Sequence, residues 1–179
     1  MSRPRDVIAT ARLDLVPLRV ADAGERVAVL ADPTLYRFIG GRAPTRAELA
    51  ARYGVQVRGR SPDGHEEWRN WIVRERLSGA ASGFVQATIA DSEGAGGRSA
   101  EIAWLTGVPW QGRGYATEAG AGIVRWLERR GVREIVAHVH PDHAASTAVA
   151  GRVGLMPTDL FVDGERAWRR DVAASTDRP

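Results

Sequence analysis

A strand-like run that breaks at two glycines and passes directly into a helical pattern places the tightest limit on what this chain can become. Residues 100–108 alternate and are rich in β-formers; Gln111-Gly112-Arg113-Gly114-Tyr115-Ala116 follows, and Thr117-Glu118-Ala119 opens a helix. At such a junction consecutive backbone N–H groups and the positive end of the helix dipole face outward together. Glycine lets an anion approach without a Cβ in the way. The expected ligand is a diphosphate-bearing cofactor.

Spacing narrows the choice. A P-loop needs a Gly-Lys-Ser/Thr ending, and the chain contains no lysine: its 25 basic residues are all arginine. A dinucleotide fingerprint needs a third glycine at position 117, which is Thr, and an acidic residue closing a second parallel strand. An ordinary glycine-rich turn before a helix remains the plain alternative, because a lone Gly-x-Gly is a weak signal.

The flanks carry more. Ala100-Glu101-Ile102-Ala103-Trp104-Leu105, then Pro109-Trp110 and the glycine loop, then Ala144-Ala145-Ser146, Val149, Arg152 and Gly154-Leu155 resemble the GNAT superfamily of acyl-CoA-dependent N-acyltransferases, in its RimJ/RimL-type branch. Thr10-Ala11-Arg12-Leu13-Asp14-Leu15 is similar to that branch's opening strand. The resemblance implies an α/β fold with a central mixed, mostly antiparallel sheet of about six to seven strands, splayed at the acyl-CoA site and flanked by helices on both faces. It implies direct transfer of an acetyl group from acetyl-CoA to a primary amine, at a protein N-terminus or on a small molecule.

The resemblance also assigns residues. The diphosphate falls to Gln111, Gly112, Arg113, Gly114, Tyr115, Ala116 and Thr117. Backbone amides at Leu105, Thr106, Gly107 and Val108 fall to pantetheine, on a strand that bulges in similar enzymes. Glu101 becomes the candidate base. An amine with pKa near 10.4 is neutral about once in 2,500 molecules at pH 7, and an α-amine with pKa near 8 about once in ten, so a base helps by roughly 10²–10⁴-fold. Burial is the expected means of tuning that carboxylate. A strand-exposed or ion-paired Glu is its structural alternative. Ser146 and His143 are candidates to orient water or protonate the leaving thiolate, His143 standing where the branch usually has a cofactor-contacting Asn. The Tyr that many superfamily members place in the later helix is replaced by Ala150. That loss motivates the alternative of a catalytically weak CoA-binding or regulatory protein.

His138-Val139-His140-Pro141-Asp142-His143 fits a His-x-His-x-Asp-His zinc signature. The match reads as accidental: the only other histidine, His65, lies upstream, and a zinc site needs convergent ligands with support behind them. No metal is expected.

A chain of 179 residues with 44% apolar composition suits one domain. Segments of about 1–9 and 173–179 are expected as flexible tails. The formal net charge is only +3, without long charge runs, so nucleic acid is not an expected partner and the arginines read as solvated surface. There is no cysteine to form a disulfide or a thiol nucleophile. Without an apolar leader or a run of roughly 18 apolar residues, no membrane association is expected and a cytoplasmic location follows. A homodimer is the family-level expectation.

The remaining pattern gives a first strand over 11–18, a helix opened by Val20-Ala21-Asp22, and a second helix over 48–57 with a Thr45/Glu48 capping box. Between them Tyr36-Arg37-Phe38-Ile39-Gly40-Gly41 reads as an acceptor-site lining or a hydrophobic plug. A hairpin over 68–75 and 80–91, a helix over 116–130, a strand at 135–139, a helix capped by Asp142 and a last strand over 165–172 complete the order β-α-α-β-β-β-α-β-α-β. Glu66, Glu67 and Asp91 are candidate contacts for a cationic acceptor.

Overall fold

The computed structural model describes residues 6–92 and 96–172. Eight strands form one open sheet in the order β1-β2-β3-β4-β5-β6-β8-β7. They are β1 (Ile8–Ala9), β2 (Leu13–Pro17), β3 (Glu66–Glu75), β4 (Ala81–Ser92), β5 (Gly97–Thr106), β6 (Val132–Val139), β7 (Met156–Val162) and β8 (Glu165–Asp171). All neighbours are antiparallel except β5 and β6, which the helix α4 (Tyr115–Glu128) joins in parallel. The other helices are α1 (Ala23–Val29), α2 (Tyr36–Ile39), α3 (Arg46–Gln56) and α5 (Ala144–Arg152).

Helices cover both faces of the sheet. On one side α4 buries Ala119, Ile123, Val124 and Leu127 against Ala100 and Ile102 of β5 and Ile135 and Ala137 of β6. Ile123 and Leu127 are almost fully enclosed, each contributing about 1.5–3 kcal/mol. On the other side α1 and α3 pack Ala23, Leu30, Leu49 and Tyr53 over Phe84 and Leu105. The Thr45/Glu48 capping box forms as expected, Thr45 Oγ1 accepting from the Glu48 N–H at 3.2 Å and Glu48 accepting from the Thr45 N–H at 2.8 Å.

Three expectations need correction. The sheet has eight strands, since β1 is only two residues long and β7 is exposed along nearly its whole length, so neither carries a period-two apolar pattern. The last helix begins at Ala144, and His143, not Asp142, caps it: the His143 ring nitrogen accepts from the Ser146 N–H at 3.4 Å. The bulge expected near the end of β5 is missing from its pairing with β4, which runs in unbroken register from Gly83↔Thr106 to Ser92↔Gly97. Of the two segments expected as tails, residues 1–5 and 173–179 lie outside the described residues; Ile8 is buried, and the Asp6 carbonyl accepts from Trp71 Nε1 at 3.0 Å.

Candidate active site

β5 and β6 run together only from Arg98↔Val132 to Glu101↔Val136. Beyond Glu101, β5 continues to Thr106 and β6 to Val139 without pairing, so the sheet opens into a V at this seam. In that opening the main-chain groups of 102–106 that would face β6 have no strand to meet. The turn after β5 leads to α4 and the turn after β6 leads to α5, so the N-termini of both helices flank the same gap.

The glycine loop sits at its mouth. Gly112 and Gly114 both have positive φ, 74° and 77°, which glycine accepts without strain, and nothing lies within 4 Å of where a Gly112 Cβ would be. Gly114 is the N-cap of α4 and no side chain caps the helix, leaving the first N–H groups free to face a ligand. Gln111, Gly112, Arg113 and Gly114 are exposed. Gln111 Nε2 donates to the Thr106 carbonyl at 3.0 Å, folding the loop back on the end of β5.

A hydrogen-bonded brace holds this loop. Arg12 donates from Nη1 to the Arg113 carbonyl at 3.0 Å and from Nε to Glu118 at 2.7 Å, while the Arg12 N–H and the Thr10 hydroxyl also donate to Glu118. Burial works to raise the Glu118 pKa. Those donors outweigh it and hold the carboxyl below the usual range. Tyr115 donates its hydroxyl to Glu75, whose carboxyl is held low by Ser78 and Tyr115 in turn. Arg12, Glu75 and Glu118 escaped the sequence reading because their partners lie 40 to 108 positions away.

On the α1/α3 face the gap is lined by different chemistry. Glu101 projects here with its side chain 59% exposed, so the burial expected to tune it is not present. Its Oε1 lies 3.3 Å from His138 Nδ1, across the point where the strands part. His140 accepts from the Asp142 N–H at 3.2 Å, and the Phe38 ring stacks on His143 at 4.4 Å and tilts against His140 at 5.3 Å. Burial, and then the neighbouring His140, push the His143 pKa down, which favours the neutral ring that accepts the capping bond. The residues of the zinc-like pattern thus have separate tasks, and among the described residues no group of three or more His, Asp or Glu side chains converges as a metal site would. Ser146 lies in the first turn of α5 beside His143. Phe38 places the 36–41 segment against this end of the sheet.

Next to Glu101 a cleft of about 390 Å³ opens between α3 and the sheet, lined by Arg52, Gln56, Trp68, Asn70, Gln86 and Thr88. Thr88 is the register partner of Glu101 and Gln86 that of Ala103, so the cleft lies one strand away from the open edge of β5. Glu67 and Asp91 cannot serve it. They alternate with Trp68 and Ala90 and point to the opposite face, where Glu67 is bound to Arg98 at 2.5 Å. Glu66 shares the cleft face and accepts from Trp68 Nε1 at 2.9 Å.

The sequence matches the acetyltransferase (GNAT) domain over residues 12–156, a span holding Arg12 and Glu118 of the brace, β5, the loop and both flanking helices. The chain belongs to the GNAT acetyltransferase family. It is an acyltransferase, and acetyltransferases of this family use acetyl-CoA. No curated protein matches the sequence. Among solved structures, the chain is similar to RimL, a ribosomal L7/L12 alpha-N-protein acetyltransferase in complex with coenzyme A, at 16% identity and a TM-score of 0.75, over 93% of this chain and 98% of that one. An acetyltransferase from Agrobacterium tumefaciens follows at 23% identity and 0.69, over 95% and 96%, and a GNAT-family acetyltransferase from Bacillus anthracis at 15% and 0.71, over 92% and 98%. At these identities the likeness speaks for the fold. No helix among the described residues is long and apolar enough to cross a membrane.

Proposed function

We propose that this chain transfers an acetyl group from acetyl-CoA directly to a primary amine presented from the α3 cleft, with the N-terminus of a protein as the favoured acceptor. The single observation that carries the proposal is the opening of the β5/β6 seam after Glu101, with the uncapped α4 N-terminus at one end and the cleft at the other. The donor's diphosphate rests on the N–H groups of 112–117, with Arg113 beside it. Its pantetheine arm lies along the free edge of β5, pairing with main-chain groups from Leu105 to Val108. One of these N–H groups faces the thioester oxygen, a donor worth on the order of 10²–10³ in rate.

Glu101 takes the amine's proton, directly or through one water, and His138 beside it orients the carboxylate and shares the charge. Ser146 and His143 stand on the far side of the gap, where the sulfur leaves; there a hydroxyl or an imidazole N–H can donate a hydrogen bond that stabilises the departing thiolate, in place of the Tyr that Ala150 replaces, and the thiolate takes its proton from solvent. The RimL neighbours, described as alpha-N-protein acetyltransferases, support an N-terminal acceptor. The exposed Met156, Leu160 and Phe161 of edge strand β7 support a homodimer formed through that edge.

Incubation with acetyl-CoA and amines, read by thiol release, tests the proposal. Amine-dependent thiol that falls roughly 10²–10⁴-fold in Glu101→Gln supports it. Tight binding of coenzyme A without amine-dependent thiol would instead mark a CoA-binding protein of little catalytic power.

A further inference from the structure

Arg26 is the one arginine among the described residues with no exposed surface, and its Nε, Nη1 and Nη2 have no hydrogen-bond partner. It occupies a core position of α1, one turn from both Ala23 and Leu30, where an apolar side chain would ordinarily sit. Its guanidinium lies 5.3 Å above the Phe84 ring and beside Tyr53. Both residues wall an inner cavity of about 80 Å³ that shares Arg52, Gln56, Asn70 and Gln86 with the outer cleft.

Among the described residues no carboxylate pairs with Arg26, and Tyr53 is the polar neighbour that acts on it most. The carboxylates that feel it are Asp22 and Glu25, and both are committed elsewhere: Glu25 to Arg74 at 2.8 Å and to the Ala81 N–H at 3.0 Å, Asp22 to the Arg19 N–H at 2.8 Å and to Arg74 at 3.5 Å. A cation–π contact with Phe84 offsets only part of the cost of taking a guanidinium out of water. The outer cleft carries a second cation, Arg52, and its lining holds no carboxylate. Arg52 lines both cavities, whose other walls mix amides and rings with the aliphatic Leu18, Leu49 and Ile72, and Arg26 adjoins the wall made by Phe84 and Tyr53 with its donors unused.

We propose that Arg26, with Arg52 at the mouth, forms an anion subsite of the acceptor cleft that receives a carboxylate carried by the acceptor itself. This rests on the acyl-transfer proposal for the reaction but not on its catalytic residues. Phe84 is the register partner of Leu105, and neighbouring strands lie about 4.8 Å apart, so the subsite is roughly one to two strand spacings from the open edge of β5. The amine and the carboxylate therefore belong to one residue-sized unit: an acidic first residue of a polypeptide, or a free acidic amino acid. Tyr53 swings aside to admit it. A cationic acceptor such as a polyamine is disfavoured by the same charges.

Matched acceptors test the proposal. C-terminally amidated peptides beginning with Glu or Gln, and free glutamate or glutamine, differ only in the charge at the subsite. In the wild-type chain the carboxylate member of at least one pair has a kcat/KM higher by roughly ten- to a hundredfold, mostly through KM, and the pair that responds identifies the source. In Arg26→Met the advantage disappears, and the melting temperature holds or rises, because an unpaired buried cation has been replaced by an apolar side chain. Glutarate, a dicarboxylate without an amine, gives a binding isotherm with the wild type and none with Arg26→Met. That measurement stands even if no amine is acetylated, so failure of the subsite and failure of the transferase proposal are told apart. Equal use of Glu and Gln acceptors by the wild type, an advantage that survives in Arg26→Met, a melting temperature far below wild type in that variant, or no glutarate binding by the wild type would each overturn the subsite.

Discussion

Replacing Gly83 with alanine is expected to damage cofactor binding and stability together. Gly83 is buried on β4 and pairs with Thr106, the last residue of β5. A Cβ there would meet the Leu105 carbonyl oxygen at under 3.0 Å, a separation real Cβ atoms do not show, and would lie 3.2 Å from the Leu105 carbonyl carbon and Thr106 Cα. These are backbone atoms in a ladder whose next rung, the Gly107 N–H to the Ser82 carbonyl, is made at 2.9 Å. Relief therefore requires the end of β5 to move by something of the order of an ångström. Such overpacking costs about 1–3 kcal/mol, which for a chain of this size lowers the melting temperature by roughly 2–12 °C. The displaced residues are those proposed to pair with pantetheine, and a misplacement of that size costs on the order of 10²-fold in rate. Differential scanning calorimetry and the KM for acetyl-CoA read the two effects. Gly54→Ala is the control: it lies inside α3 with nothing within 4 Å of its would-be Cβ, so up to about 1 kcal/mol of stabilisation is expected. A Gly83→Ala protein with wild-type melting temperature and wild-type KM would refute the reasoning.

Three other outcomes are expected. Glu118→Gln loses about 1–2 kcal/mol after the half-exposed Arg12 is discounted for screening, measured by urea unfolding at pH 7. Because the folded-state pKa of Glu118 is held below its ordinary value of 4.5, its stabilisation is present above pH 4.5 and fades as pH falls through the folded value, so the variant's melting temperature falls less steeply than wild type below pH 4.5. His143 has the opposite charge logic with the same direction: its neutral ring is favoured by the fold, so acid erodes stability below its ordinary pKa of 6.5, and His143→Asn keeps the cap of α5 while flattening that limb below pH 6.5. Gly114→Asp, placed at φ 77° and facing the expected diphosphate, weakens coenzyme A binding by at least tenfold in calorimetry, with a smaller loss of stability.

The strand, glycine loop and helix at the proposed cofactor end were written locally and could be read. Glycines at 112 and 114, a β-run before them and a helix after them are neighbours in sequence, and the Thr45/Glu48 box spans only three residues. The proposed acceptor end is assembled from distance. Its cleft exists only because α3 lies over β3 and β4, and Gln56, Asn70 and Gln86 carry no motif. Arg26 reads as surface because arginine ordinarily is, although its spacing from Ala23 and from Leu30, the C-cap of α1, marks an inward position. Strand parity could have excluded Glu67 and Asp91 once Trp68 and Thr88 were set on the cleft face. The strand β7 had no pattern to find: only β8 pairs with it, and its side chains face water on both sides.

Where β5 takes leave of β6, the donor is expected to be held by peptide groups, which every residue but proline possesses in the same form. Side chains along that edge can therefore drift across generations while the grip endures. Chains agreeing at only 16–23% of positions still superpose at TM-scores near 0.7, as a fold preserved through its main chain would.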